Sequence, residues 1–283
     1  MTTYESDPPA QEALIVGDIY QLFAEHHADA WTVTALKATA NENIWSRYAR
    51  FHLGQGLSQR DHKWIAQRAR DAGACLANNP EPASERETHK HVASNIMISV
   101  PRRTASKEFV LDLLIDSKAA EISDHQTGQH LSGASLEEAA RQAFLGVTER
   151  FFIPVGESNN YYFVTRGKHV EFRHFAFPLP TTLRYTVVDF EESRDRNTLS
   201  FNIRIVFEQA GLSVAEITFS FAVYRKDRLA KKEKEMATQA VATIVKPIRA
   251  LPSPGPAPRV TASEAKTAEL RHCGNANSTG AAR

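Results

Sequence analysis

Cysteine is scarce in this sequence, and long hydrophobic runs are absent. The two cysteines, Cys75 and Cys273, lie far apart in dissimilar surroundings, which argues against a disulfide framework and against a cysteine metal site. No apolar run approaches the length of a membrane span, and residues 1–10 are acidic and polar rather than signal-like. We therefore expect a cytoplasmic protein without a membrane-spanning segment.

An excess of charge of either sign is also lacking. The 34 Lys and Arg residues nearly balance the 33 Asp and Glu residues, for a net charge of +1 over 283 residues. Bulk electrostatics therefore gives no reason to expect binding to nucleic acid or to an anionic membrane. Basic residues between Arg47 and Arg70 are interleaved with acidic ones, as on a solvated helix face. We predict no nucleic-acid partner.

Several motifs of catalysis and cofactor binding are missing as well. The sequence has no phosphate-binding glycine loop and no Gly-x-Ser-x-Gly elbow, which excludes the nucleotide-binding and serine-hydrolase interpretations. The pairs His26-His27 and His89-Lys-His91 have no carboxylate or cysteine at ligand spacing around them. We therefore predict no metal.

The first part of the chain has the pattern of helices. Apolar residues recur at helical spacing over residues 14–23 and 31–36, and a third helix is predicted over residues 45–53. Ser58 and Asp61 are spaced as a capping box that opens a further helix. We predict an N-terminal helical segment over residues 1–84, packed on the next domain.

From residue 89 the apolar period changes from helical to alternating. Such alternation is typical of strands in an antiparallel sheet that has one face on a core. The slip in alternation over residues 169–177 predicts a β-bulge. The predicted strands cover residues 96–100, 109–115, 161–164, 169–177, 183–187, 199–207 and 215–223.

Between the second and third of these strands lies a polar loop that becomes an apolar helix from Leu136. The helix is apolar over most of its circumference and is therefore predicted to be buried. Glu138, Arg141 and Gln142 nevertheless share one of its faces. A buried polar cluster is costly unless its members are paired or used, so this cluster is either a self-satisfied ion pair or part of a site.

The helix start resembles the central-helix signature of hotdog-fold enzymes that act on acyl thioesters. In the β-hydroxyacyl carrier-protein dehydratases, Pro-Gly is followed by apolar residues, then Glu-Ala and then Gln. Gly133, Glu138, Ala139 and Gln142 match that order without a gap. The catalytic His of those dehydratases, counted back from Glu138, falls at Asp124.

A closer resemblance, over residues 88–226, is to the AfsA-type (A-factor biosynthesis) hotdog family. It implies an α+β hotdog fold, an antiparallel sheet wrapped around a long central helix. Signalling members of that family carry two hotdog units, whereas this chain shows one, over residues 85–226. The resemblance rests on His89-Lys90, on Asp124-His125 with Gly128-Gln-His130, and on Leu136-x-Glu138-Ala-x-Arg141-Gln142.

The resemblance implies transfer of a 3-oxoacyl group to a small hydroxylated acceptor such as dihydroxyacetone phosphate. The acyl group would arrive on the phosphopantetheine of an acyl carrier protein or of CoA, so no separate cofactor is expected. The product would be a precursor of a butyrolactone- or butenolide-like signal or of another secondary metabolite. A single hotdog unit leaves its helix half covered, so we also expect a homodimer.

The residues suggest how such a site would work. The N–H groups at a helix start can stabilise an oxyanion, and partial burial would raise the pKa of Glu138 and suit it to proton transfer. The expected catalytic residues are Glu138, Asp124, His125 and Arg141. The expected substrate-binding residues are Gln142, His130, Gly133 and Ala134.

Alternative functions and roles remain open at this point. A thioesterase or dehydratase on similar substrates is the second enzymatic hypothesis, and a non-catalytic acyl-binding module is the third. Asp124 can equally be a loop-stabilising residue, and His125 and His130 ordinary loop histidines. The rest of the chain is predicted to form a charged helix over residues 227–250 and a disordered tail over residues 251–283.

Overall fold

The computed structural model describes residues 11–39, 44–120, 127–157, 160–194 and 198–245. The strands are β1 Glu12–Val16, β2 Ala30–Thr32, β3 Arg50–Leu53, β4 Cys75–Leu76, β5 Arg102–Ala105, β6 Glu108–Asp112, β7 Tyr161–Phe172, β8 Thr182–Glu192, β9 Thr198–Gln209 and β10 Leu212–Arg225. The helices are α1 Gln21–Glu25, α2 Val33–Ala38, α3 Ile44–Arg47, α4 Gln59–Ala72, α5 Glu85–Thr88, α6 Gly133–Phe151 and α7 Lys226–Ile244, with 3-10 turns at Asp18–Tyr20 and Ala93–Asn95.

Six strands form one antiparallel sheet around α6. Their order across the sheet is β5-β6-β8-β9-β10-β7, so β7, the strand that follows α6, lies at an edge. Alternate residues of β8, β9 and β10 are buried against the helix, as their apolar period predicts. This is the α+β hotdog architecture, and the predicted fold class is confirmed.

Small residues let α6 lie close to the sheet. Ala139, Ala140 and Ala143 have no exposed surface, so the helix backbone approaches its neighbours without a bulky side chain between them. Phe144, one turn further on, stacks on Phe221 of β10 with ring centroids 4.5 Å apart. Burial of α6 on nearly all sides follows from this packing, as its composition predicts.

The prediction of an all-helical segment over residues 1–84 needs correction. The structure has helices there, but it also has a four-stranded parallel sheet in the order β2-β1-β3-β4. β3 falls where the sequence predicts a helix over residues 45–53. Short apolar runs do not distinguish strands from helices, and the parallel pairing joins segments that are distant along the chain. The capping box of Ser58 and Asp61, in contrast, opens α4 as predicted.

A buried glutamine joins this parallel sheet to the hotdog part. Gln55, in the loop after β3, donates from Nε2 to the carbonyl oxygens of Leu113 and Leu179 at 3.1 Å each, and its Oε1 accepts from the N–H of Ile115 at 2.8 Å. The strand order reverses between β1 and β3, which is where open parallel sheets usually bind ligands. The loops at that crevice are instead bonded to the hotdog part.

A close approach of two backbones accompanies this contact. A Cβ atom on Gly17, in the loop after β1, would lie 1.9 Å from the carbonyl oxygen of Gly56 in the loop after β3. Only glycine can occupy position 17 without displacing that loop. The two loops therefore meet on the hotdog part as a fixed pair.

Two strand predictions differ from the structure. Residues 96–100 make only isolated bridges, Ile98 to Leu113 and Pro82 to Ser99, and the strand begins after them as β5. Residues 161–172 form the single strand β7, whose bulge lies at Arg166, earlier than the predicted slip, and the strand ends at Phe172. The alternation locates sheet-forming segments well but not their hydrogen-bonded ends.

The chain divides into two units, Met1–Lys234 and Glu235–Arg283. Both sheets belong to the first unit, and the boundary falls within α7, which covers most of the predicted charged helix and has no buried residue. The predicted tail over residues 251–283 lies outside the described residues. No described helix has the length and hydrophobicity needed to cross a membrane.

Candidate active site

Glu138, on the second turn of α6, is the centre of a polar cluster. Arg141 donates to both of its carboxylate oxygens, from Nε at 2.7 Å and from Nη2 at 2.8 Å. Lys90 Nζ lies 2.8 Å from Oε1, and Gln142 Nε2 donates to the same oxygen at 3.0 Å. The predicted i,i+3 pair therefore forms, and two further donors join it.

These donors reverse the expected pKa of Glu138. Burial alone would raise the pKa, but hydrogen bonds from Arg141, Lys90 and Gln142, with the charge of Arg141, outweigh it and lower the pKa to about 2. The sequence-based expectation of a raised pKa is therefore wrong. Glu138 is an ionised carboxylate that accepts hydrogen bonds.

Gln142 positions Glu138 rather than facing solvent. Its side chain is fully buried, and its Oε1 accepts from the N–H of Met97 at 2.8 Å. Its Nε2 donates to the carbonyl oxygen of Asn95 at 2.8 Å, besides its bond to Glu138. Because both N–H donors are used, the structure does not support the expected donation from Gln142 to a substrate.

Lys90 was part of the family resemblance but was not predicted as a site residue. It follows α5, whose C-cap residue His89 has a left-handed φ of 54° and whose last turn is closed by the N–H of Lys90 donating to the carbonyl oxygen of Glu85 at 3.0 Å. This turn directs the Lys90 side chain to Glu138. The position of Lys90 depends on packing of α5 against α6, which the sequence pattern does not reveal.

The first turn of α6 is capped and partly open. The Oγ of Ser132 accepts from the N–H of Ser135 at 3.2 Å, which satisfies one of the orphan donors. The N–H groups of Gly133 and Ala134 make no hydrogen bond to any residue that the structure describes. Gly133 packs under Phe172, whose ring would lie 2.7 Å from a Cβ atom there, and Ala134 is exposed.

A cavity of about 450 Å³ lies against this turn. Ion pairs on two of its sides join Glu138 to Arg141 and Glu137 to Lys168. The cavity therefore presents fixed charges of both signs beside a helix start, an arrangement suited to a polarised carbonyl group. Its lining consists of Ala134, Glu137, Glu138, Arg141, Thr165, Lys168 and Phe219.

The structure brings together only some of the predicted site residues. Ala134, Glu138 and Arg141 line the cavity, and Gly133 adjoins Ala134. His130 does not line it, because its ring packs on Phe175 with centroids 5.0 Å apart and its Nδ1 lies 3.2 Å from Thr127 Oγ1. Asp124 and His125 fall outside the described residues, so their predicted roles stay predictions.

A second carboxylate lies at the other end of α6. The Oε1 of Glu149 is 2.9 Å from His89 Nε2, and only 1% of the Glu149 side chain is exposed. Its Oε2 has no hydrogen-bond partner among the described residues. Among those residues, no group of three or more His, Cys, Asp or Glu side chains is arranged to hold a metal ion.

An apolar helix wrapped by an antiparallel sheet is the hotdog architecture, and in this protein a charged cavity lies at the start of that helix. A sequence model of the AfsA family, described as the A-factor biosynthesis hotdog domain, matches residues 74–225, more than half of the chain. The chain belongs to the AfsA family.

Comparison with solved structures gives distant similarities. A mutant thioesterase from Pseudomonas aeruginosa is 16% identical, with 45% of this chain and 81% of that chain covered and a TM-score of 0.33. A mutant phenylacetic acid degradation protein from Thermus thermophilus is 19% identical, with 44% and 90% covered and a TM-score of 0.29. Similarities at these scores are too weak to carry the activity of those proteins over to this chain. No curated protein matches the chain in sequence.

Proposed function

We propose that this protein is an acyltransferase that moves a 3-oxoacyl group from an acyl carrier protein or CoA thioester to a small hydroxylated acceptor. Dihydroxyacetone phosphate is the proposed acceptor, and the ester formed would be a precursor of a butyrolactone- or butenolide-like signal or another secondary metabolite. Membership of the AfsA family supports acyl-thioester chemistry in general. The observation that carries the finer proposal is the charged cavity at the start of α6.

The reaction forms two bonds and breaks two. The acceptor hydroxyl oxygen bonds to the thioester carbonyl carbon, the carbon–sulfur bond breaks, and the hydroxyl proton ends on the departing thiol. The N–H groups of Gly133 and Ala134 are the proposed donors to the negatively charged carbonyl oxygen. They lie at the turn that the cavity adjoins.

The charged residues of the cavity suit the acceptor. Glu138, ionised because of its low pKa, would accept a hydrogen bond from the acceptor hydroxyl and orient it. Arg141, held by two hydrogen bonds to Glu138, would contribute positive charge for the acceptor phosphate. Asp124 or His125 is the proposed proton acceptor, because a carboxylate with a pKa of about 2 is a weak base.

A homodimer is part of the proposal. β7 is a twelve-residue strand at the sheet edge, and an open edge of that length is a template for pairing with another chain. Pairing of two β7 strands would bring a second subunit against the cavity, since Thr165 and Lys168 of β7 line it. Light scattering should give twice the chain mass of 31.5 kDa; a monomer would contradict this part.

The first test is mass spectrometry of a 3-oxoacyl thioester incubated with the protein, with and without dihydroxyacetone phosphate. We expect an ester that forms only with the acceptor, and a loss of about 100-fold or more in Glu138→Gln. Glu208→Gln is the matched control, because it makes the same chemical change in an exposed ion pair with Arg184 that does not line this cavity. Circular dichroism establishes that both variants are folded.

Other products would favour the alternative functions. Free acid without acceptor dependence would indicate a thioesterase, and a thioester lighter by one water would indicate a dehydratase. Retained acyl binding without turnover at any chain length would indicate a binding module. Each of these results would overturn the proposed transfer.

A further inference from the structure

A second cavity lies between α4 and the hotdog part of the same unit. Its volume is about 510 Å³, within the usual range of small-molecule sites. None of its lining residues belongs to the cavity at Glu138. The two cavities therefore share no wall.

The walls of this second cavity are mostly apolar. Ala66 of α4 faces it from one side, and Ile96 and Leu114 face it from the hotdog side. Replacing the water in contact with such walls by an aliphatic chain lowers the free energy. Most of a ligand that fits this cavity is therefore expected to be a hydrocarbon chain.

Of the polar residues in the lining, only His62 and Asp116 are half-buried, whereas the others are exposed. Burial lowers the pKa of His62, against the opposing charge of Asp61. Burial also raises the pKa of Asp116, despite a hydrogen bond from the backbone N–H of Lys118. Burial is the largest cause of both shifts, and it disfavours charge on either group. A charged ligand group beside them would meet the same penalty.

His62 has a free hydrogen-bonding position toward such a ligand. Its Nδ1 is buried and has no partner among the described residues, and because His62 lines the cavity, a ligand that reaches this nitrogen would satisfy it. A neutral imidazole nitrogen can donate to a carbonyl oxygen or accept from a hydroxyl group. A carboxyl group such as that of Asp116 can do the same when protonated and can accept when ionised.

The cations of the lining lie at its edge. Lys63 and Arg70 are exposed on α4, and Arg70 donates to Gln67 at 2.8 Å. Charges in contact with water contribute little to binding. They therefore do not make the interior an anion site.

We propose that this cavity binds a small uncharged amphipathic molecule, an aliphatic chain that ends in a hydroxyl or carbonyl group, with that group hydrogen-bonded to His62 and Asp116. This site goes beyond the proposed acyl transfer and does not depend on it. Because it lies apart from Glu138, its ligand would act as an effector rather than as a substrate.

The test is isothermal titration calorimetry, in which the full chain is titrated with 1-decanol and, separately, with decanoate. We expect saturable binding of 1-decanol at neutral pH, and binding of decanoate weaker by about tenfold or more because its carboxylate must lose water beside Asp116. No saturable binding of 1-decanol would overturn the proposal, since the cavity would then hold only water. Tighter binding of decanoate would overturn the uncharged head group.

Matched variants assign the binding to this cavity. Ala66→Leu fills it and should weaken 1-decanol binding by about tenfold or more, whereas Ala72→Leu makes the same change on the exposed end of α4 and should leave the affinity unchanged. Leu114→Phe narrows the cavity from the hotdog side and serves if Ala66→Leu does not fold. An affinity that neither filling variant changes would place the binding elsewhere.

A last variant tests the hydrogen bond. His62→Phe keeps an aromatic ring and removes both nitrogens, so 1-decanol binding should weaken by about fivefold to tenfold. An unchanged affinity in a folded His62→Phe protein would contradict the role of His62.

Discussion

The two ends of α6 each carry a largely buried glutamate, but only one of the two carboxylates is well paired. Glu138 has 13% of its side chain exposed and is held by Arg141, Lys90 and Gln142. Glu149 is more deeply buried, with 1% exposed, yet among the described residues its Oε1 pairs with His89 and its Oε2 has no partner. Depth of burial therefore does not decide how firmly a carboxylate is held.

This difference in pairing indicates that Glu138 belongs to a site whose geometry is preorganised, whereas Glu149 makes a structural contact. At Glu138 the donors come from α6 itself and from the turn after α5, so charge and geometry are fixed before any substrate arrives. At Glu149 one oxygen remains unsatisfied, which is costly in a buried group. The cavity lies at the well-paired end.

The largest expected loss of stability follows substitution of Gln142, the buried residue that donates a hydrogen bond to Glu138. Gln142→Leu keeps the side-chain size but leaves the N–H of Met97 and the carbonyl oxygen of Asn95 unpaired. We expect it to lower the free energy of unfolding by about 3 kcal/mol. Urea denaturation measures the loss.

An exposed amide serves as the control for this change. Gln21→Leu removes a hydrogen bond to Glu25 at the surface and should change the free energy of unfolding by no more than about 0.5 kcal/mol. If Gln142→Leu changed the free energy of unfolding as little as Gln21→Leu, the proposal that Glu138 lies in a preorganised site would be refuted.

The second prediction concerns how the stability of the fold depends on pH in the acid range. Because the pKa of Glu138 is about 2 in the folded protein and about 4.3 in an unfolded chain, its ionised form stabilises the fold above pH 4.3. That contribution, about 3 kcal/mol at most, is lost as pH falls toward 2. Glu138→Gln lacks this dependence.

The measurement is the difference in unfolding free energy between wild type and Glu138→Gln at a series of pH values. We expect the difference to be largest near neutral pH and to shrink between about pH 4.5 and about pH 2. A difference that stays constant over this range would mean that the carboxylate is not held as the contacts indicate.

The smallest effect is expected at the other end of α6. Glu149→Gln preserves the shape and one hydrogen bond to His89, and the oxygen it replaces has no partner among the described residues. A loss of about 1 kcal/mol is expected in thermal or urea unfolding. A loss larger than that of Glu138→Gln would reverse the comparison.

Part of the candidate site could be predicted from the sequence because it is local. Glu138 and Arg141 are three residues apart on a helix, so their pairing follows from helix geometry. The full set of donors that lowers the pKa of Glu138 could not be predicted, because Arg141 is joined by Lys90, which is distant in sequence and reaches Glu138 through the packing of α5 on α6. The role of Gln142 likewise depends on the backbone at Asn95 and Met97.

The sequence by itself determined the hotdog half of the protein. Its strands alternate and α6 is apolar nearly all round, and each pattern follows from the faces that one element must bury. Only the tertiary structure decided that the segment before it contains a parallel sheet, since β1 pairs with strands that follow it after intervening helices. Local periodicity records which residues are buried, whereas partners brought together by chain folding leave no trace in the spacing of neighbouring residues.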